Sequence, residues 1–142
     1  MRRAYLLMII LPVVTIILGL LVGCVSETTT STQFVKDVTA QEAMTIINEN
    51  QDNPEFIIAD VRTLAEFNDG HIENAVNIDF NSEAFRSEIG KLDRNNKYLV
   101  YCRSGNRSSG AVKLMLELEF TDVYHLYEGI IGWTSGGYST VK

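Results

Sequence analysis

The chain has 142 residues and carries 18 Asp and Glu against 12 Lys and Arg, a formal charge of −6. A body this acidic argues against a nucleic-acid partner, because such binding leans on clustered cations. Its two cysteines, Cys24 and Cys102, exclude a disulfide-stapled scaffold.

In chain order, residues 1–24, MRRAYLLMIILPVVTIILGLLVGC, start with two arginines, continue as a long apolar run and end in small residues. That is the layout of an export signal, and the run is long enough to span a bilayer if it is not cut. Its last four residues, Leu21, Val22, Gly23 and Cys24, resemble the lipobox of prokaryotic lipoproteins. The resemblance implies lipidation of Cys24 as the first mature residue. The alternative is a transmembrane anchor in which Cys24 is only a small apolar side chain. Either way the expectation is an exported protein tethered to the outer face of the cytoplasmic membrane, or to the periplasmic side of a membrane. Residues 25–33, VSETTTSTQ, have little to bury and read as a solvated spacer. Residues 34–142 are enough for one domain with one core.

Within that domain, strands are predicted at 34–38, 56–61, 75–79, 98–102 and 123–127. The second and fourth (FIIADV and YLVYC) are nearly all apolar, as strands covered on both faces are. Helices are predicted between them. Thr39 with Glu42, and Thr63 with Glu66, have the spacing of capping boxes. Ala43, Ile46 and Ile47 form one apolar stripe, Phe85 and Ile89 lie four apart, and Val112, Met115, Leu116 and Phe120 share one side. A last helical segment, IIGWTSGGY, ends at Gly136 and Gly137. The alternation predicts an α/β fold: a mainly parallel five-stranded sheet with helices on both faces. Ligands of such sheets sit beyond the carboxyl ends of strands, and Cys102 lies at one.

Around Cys102 the sequence is polar and cationic: Arg103, Ser104, Gly105, Asn106 and Arg107 precede a helix predicted from about Ser108. Setting aside Arg2 and Arg3 leaves ten basic against 18 acidic residues, a formal −8. The two arginines therefore form a positive island on an acidic body, which suits an anion site. If the loop curls, its backbone N–H groups converge on the sulfur and form an anion cradle. Gly105 permits that curl, and Ser104 and Asn106 tolerate it. The amides and the two guanidinium groups are expected to favour thiolate. The alternative is an inert core thiol.

Three separated segments resemble the rhodanese-like family: DVRTLAEFNDGHIENAVNI (60–78), YCRSGNRS (101–108) and GIIGWTSGGY (129–138). The resemblance implies a sulfurtransferase. Cys102 would be the nucleophile that holds sulfane sulfur as a persulfide, and the amides of residues 103–107 would stabilise it. Arg103 and Arg107 would attract an anionic donor such as thiosulfate. Asp60 and Arg62 are expected to form a supporting ion pair, Glu66 to cap a helix rather than act as a base, and His71 to order a turn. No metal or organic cofactor is implied; the partners are a small sulfur-donor anion and a thiol, protein or cyanide acceptor. Glu128 stands where the family often has the first of two glycines, so a carboxylate is expected near the pocket mouth. Asp79 stands where a proline is frequent.

Two rival readings remain. One is a non-catalytic module that binds a persulfide or anion. The other is a phosphatase or arsenate reductase, but those relatives use C-x5-R around a tetrahedral oxyanion. Here Cys102 to Arg107 is C-x4-R, one residue tighter. His71, His125 and Cys102 have no metal-ligand spacing, and His125 reads as a strand residue.

Overall fold

The computed structural model describes residues 32–142. The segment 1–24 with Cys24, and all but the end of the spacer, lie outside the described residues.

Among the described residues five strands alternate with five helices: β1 (Phe34–Val38), α1 (Ala40–Glu49), β2 (Phe56–Asp60), α2 (Leu64–Asp69), β3 (Ala75–Asn77), α3 (Phe85–Ile89), β4 (Lys97–Tyr101), α4 (Asn106–Glu117), β5 (Asp122–Leu126) and α5 (Gly129–Ser135). The strands form one sheet in the order β1-β5-β4-β2-β3, and every pairing is parallel. The expected α/β class with a five-stranded parallel sheet is the one observed.

Local signals explain where the helices begin. The Thr39 hydroxyl accepts from the Glu42 N–H while the Glu42 carboxylate accepts from the Thr39 N–H, and Thr63 and Glu66 repeat this at α2. Each box satisfies two N–H groups that a helix start would otherwise leave unpaired. One boundary differs in a way that matters: α4 starts at Asn106, two residues before the predicted Ser108. The loop after Cys102 is therefore shorter than expected, and Ser108 sits in the first turn of a helix.

β4 is the central strand, and Tyr98 to Tyr101 are buried on both faces. Alternation along it divides the core. Tyr98, Val100 and Cys102 point to the side covered by α3 and α4, where Phe85, Ile89, Ala111, Val112 and Met115 pack. Leu99 and Tyr101 point to the side of α1 and α5, with Ala43, Ile130 and Trp133. Leu116 is not among the residues of α4 that reach this core; Leu114 and Leu118 pack there instead. Central placement leaves the carboxyl end of β4 flanked by the ends of β2 and β5, and the site is built from those three ends.

Candidate active site

Cys102 follows β4 directly, and the chain then makes a turn of three residues into α4. Gly105 closes the turn with φ +94°, in the left-handed region. A Cβ at Gly105 would run into the Tyr127 carbonyl oxygen, so close approach as well as backbone angle requires glycine there. The turn is strapped to the start of α5: the Ile130 N–H donates to the Cys102 carbonyl (2.9 Å) and the Ile131 N–H to the Arg103 carbonyl (3.2 Å). Gly129 lets this happen, since a Cβ at that position would overlap the Arg103 carbonyl.

The Cys102 residue is only 1 % exposed, yet its sulfur is not in an apolar setting. The Gly105 N–H donates to Sγ at 3.2 Å, and the Ser108 Oγ lies 3.3 Å from it. Burial pushes the thiol pKa up, but the Ser108 hydroxyl and the amides of Ser108, Ser104 and Gly105 together outweigh it and hold the thiol below its ordinary value. Donors aimed at sulfur at the foot of a helix are what a stabilised thiolate needs.

The two arginines part company. Arg107 grips Glu66 with both terminal nitrogens, at 2.7 and 2.8 Å. Its charge is thus largely neutralised, and the thiolate-favouring field expected from two guanidinium groups comes chiefly from amides and a hydroxyl. Arg103 is exposed, makes no ion pair among the described residues, and lines a cleft of about 330 Å³ with Arg62, Glu66, Gly70, Ile130 and Thr134. Ser104 and Asn106 are exposed on the loop; Ser104 contributes its amide, and Asn106 opens α4.

Glu66 therefore has two partners, its own helix cap and Arg107. Mainly because of Arg107, and despite some burial, its carboxyl is held down to about 2. A carboxylate with a lowered folded-state pKa contributes stability above its ordinary value of 4.5, and that contribution fades as pH falls toward 2. The pair is partly exposed, so screening trims its contribution to about 1–2 kcal/mol. Glu66→Gln is expected to lower the urea midpoint at neutral pH and to converge with native protein near pH 2. Parallel midpoint curves across that range would exclude the pair as the cause.

Asp60 and Arg62 lie beneath the cleft as a buried pair, with Arg62 Nη2 donating to Asp60 Oδ2 at 2.6 Å and to the Gly70 carbonyl at 2.7 Å. Asn77 ties the same turn by donating to the carbonyls of Asp60 and Arg62. His71 stacks on Phe67 with ring centres 3.7 Å apart, and its Nδ1 lies 3.0 Å from the Phe67 carbonyl. It orders the end of α2 and has no contact with the sulfur. The Glu128 carboxylate does not stand free at the pocket mouth as expected. Its Oε2 accepts from the Ala40 N–H at the start of α1, where a helix N-terminus stabilises negative charge.

Sequence reasoning reads His125 only as a strand residue, which it is, and Ser108 only as a helix start, and gives Asp37 no role. The Ser108 Oγ, next to the sulfur, also lies 2.9 Å from His125 Nε2, and His125 Nδ1 lies 2.8 Å from Asp37 Oδ1. Asp37 and His125 are register partners on β1 and β5, 88 residues apart in the chain. No local pattern announces a pairing of that range; only a buried histidine in a strand end hints at it.

A model of the rhodanese-like domain family matches residues 39–136. A rhodanese-related protein of Thermoplasma volcanium has a similar structure: TM-score 0.61 and 31% identity, covering 75% of this chain and 97% of that one. Two curated relatives are named tRNA uridine(34) hydroxylase. That of Photorhabdus laumondii is 35% identical over 91 residues, 60% of this chain and 25% of its own length. That of Cytophaga hutchinsonii is 38% identical over 92 residues, 61% of this chain and 30% of its own length. The chain thus spans less than a third of the length of these relatives.

Proposed function

Since this chain belongs to the rhodanese-like family, we propose that it is a sulfurtransferase carrying sulfane sulfur as a persulfide on Cys102. The observation that supports this most directly is the convergence of the Gly105 N–H and the Ser108 hydroxyl on one sulfur. The Cys102 thiolate attacks the outer sulfur of thiosulfate. The S–S bond of the donor breaks, sulfite leaves with the bonding pair, and a persulfide remains. A thiolate or cyanide then attacks the terminal sulfur and regenerates the Cys102 thiolate. This is covalent catalysis in two half-reactions, with ping-pong kinetics. Arg103, exposed on the cleft wall, is the cation available to draw in the donor anion, while Arg107 braces the loop against α2 through Glu66.

The engagement of both terminal nitrogens of Arg107 by Glu66 also weighs against a phosphatase or arsenate reductase, which needs a free guanidinium for a bound oxyanion. The tRNA substrate in the relatives' names gains no support from a chain of charge −6. Intact-mass analysis after incubation with thiosulfate is expected to show a gain of one sulfur atom, removed by cyanide. A protein that never gains that mass leaves only the binding-module reading.

We also propose export and anchoring through the N-terminal segment, on the strength of the LVGC run ending at Cys24. Mass spectrometry of the membrane fraction is expected to find acylated Cys24 as the first residue. An N-terminal peptide still beginning at Met1 would overturn cleavage and lipidation.

A further inference from the structure

A line of hydrogen-bond contacts leads from the sulfur through the interior to solvent. Cys102 Sγ lies 3.3 Å from Ser108 Oγ, Ser108 Oγ 2.9 Å from His125 Nε2, and His125 Nδ1 2.8 Å from Asp37 Oδ1. Its inner end is almost sealed, with Ser108 at 0 % and His125 at 7 % exposure. Its outer end is open, the Asp37 side chain being 70% exposed.

Counting protons along this line leaves two arrangements. The carboxylate of Asp37 accepts only, so His125 Nδ1 carries a hydrogen. If the imidazole is neutral, Nε2 is an acceptor, the Ser108 O–H donates to it, and the Cys102 S–H donates to the Ser108 oxygen. If the thiolate has formed, the Ser108 O–H turns to the sulfur, and Nε2 must carry a hydrogen to face the Ser108 oxygen. Moving the thiol proton to Ser108 as the Ser108 proton moves to Nε2 converts the first arrangement into the second. No heavy atom has to relocate. The Gly105 carbonyl, 3.0 Å from Ser108 Oγ, already accepts from the Ser109 N–H and does not require the Ser108 hydrogen.

We propose that Ser108, His125 and Asp37 form a proton relay that takes the proton from the Cys102 thiol, leaving a thiolate and an imidazolium joined through the Ser108 hydroxyl. Ser108 touches the reacting sulfur and is the catalytic member; His125 and Asp37 act through it. The inference rests on Cys102 being the reacting thiol of the proposed sulfurtransferase. The ionisable groups facing His125 are Asp37 from β1 and, through Ser108, Cys102 at the end of β4. Its register partner on β4 is Val100, and its neighbour from α4 is the uncharged Ser108. No other ion pair of His125 occurs among the described residues. The relay holds the thiol proton on His125, which does not line the cleft, so the proton does not stand where an anion would arrive.

The test is the rate at which Cys102 reacts with iodoacetamide as a function of pH. That rate reads thiolate content whether or not sulfur transfer occurs, so failure of the relay and failure of the proposed activity are separable. In the native protein the alkylation profile is expected to lie at lower pH than in Ser108→Ala or His125→Gln. Each of these variants should move the profile up by about one pH unit, read as a roughly tenfold loss of rate at any pH below both midpoints. Asp37→Asn, at an exposed site, should lose roughly threefold as its charge no longer holds the imidazolium. NMR of the imidazole nitrogens gives the reciprocal reading, and with only two histidines in the chain assignment is direct. The proton occupancy of His125 Nε2 should differ between native protein and Cys102→Ser at the same pH. Should His125→Gln fail to fold, Asp37→Asn and the NMR reading decide. Folded Asp37→Asn and His125→Gln with profiles superimposed on native would overturn the relay, as would an Nε2 protonation state indifferent to Cys102. A shift confined to Ser108→Ala would reduce Ser108 to a local donor and equally overturn it.

Discussion

Cys102→Ser is expected to cut thiosulfate-dependent sulfur transfer by at least ~10³-fold, the usual scale for removing a covalent nucleophile. The substitution is nearly isosteric in a pocket only 1 % exposed. A hydroxyl there still accepts from the Gly105 N–H and meets the Ser108 Oγ, so no buried polar group is stranded. What disappears is the ionised, polarisable sulfur, because the same donors that stabilise a thiolate cannot ionise an alcohol at neutral pH. The expected signature is a collapse of kcat with little change in the urea midpoint. Residual turnover within tenfold of native protein would mean that another group performs the transfer, and the proposed chemistry would be abandoned.

The second large effect is on the loop itself. Gly105→Ala is expected to destabilise the fold by about 2–6 kcal/mol, from a side chain held at positive φ and from the collision behind it. The collision is with backbone, the Tyr127 carbonyl, which has no rotamer to move into. Gly137 separates the two causes. It has φ +84°, but nothing lies within 4 Å of the place an alanine methyl would take, so Gly137→Ala should show the smaller, purely conformational cost. Denaturant unfolding of both variants checks this. Equal losses would assign the whole effect to φ and remove the collision from the account. With Gly105→Ala the Gly105 N–H is also displaced from the sulfur, so reactivity of Cys102 should fall even in the fraction that remains folded.

Much of this fold is written locally. The two Thr/Glu boxes at Thr39 and Thr63 carry their own geometry, and apolar β4 announces its burial on both faces. The position of Cys102 just beyond that strand follows from the same pattern. The roles of the charged side chains do not, because a charge finds its partner in space. Arg107 beside Cys102 reads as a cation for the sulfur until the fold brings Glu66 within 2.8 Å from 41 residues away. Glu128 reads as a mouth carboxylate until the start of α1 arrives beneath it. His125 gains its meaning only from the parallel pairing of β1 with β5. Long-range strand register is the level at which one sequence says least, and it is the level at which the surroundings of the sulfur are decided.

The two straps from the Ile130 and Ile131 amides to the carbonyls of Cys102 and Arg103 have a thermodynamic consequence. They bind the sulfur-bearing turn into the same cooperative unit as α5, whose Ile130 and Trp133 are set in the core. Amide hydrogens held in this way exchange with solvent only when that unit opens. Heating should therefore extinguish reactivity and tertiary structure at one temperature, with no range in which the turn has melted while the sheet survives.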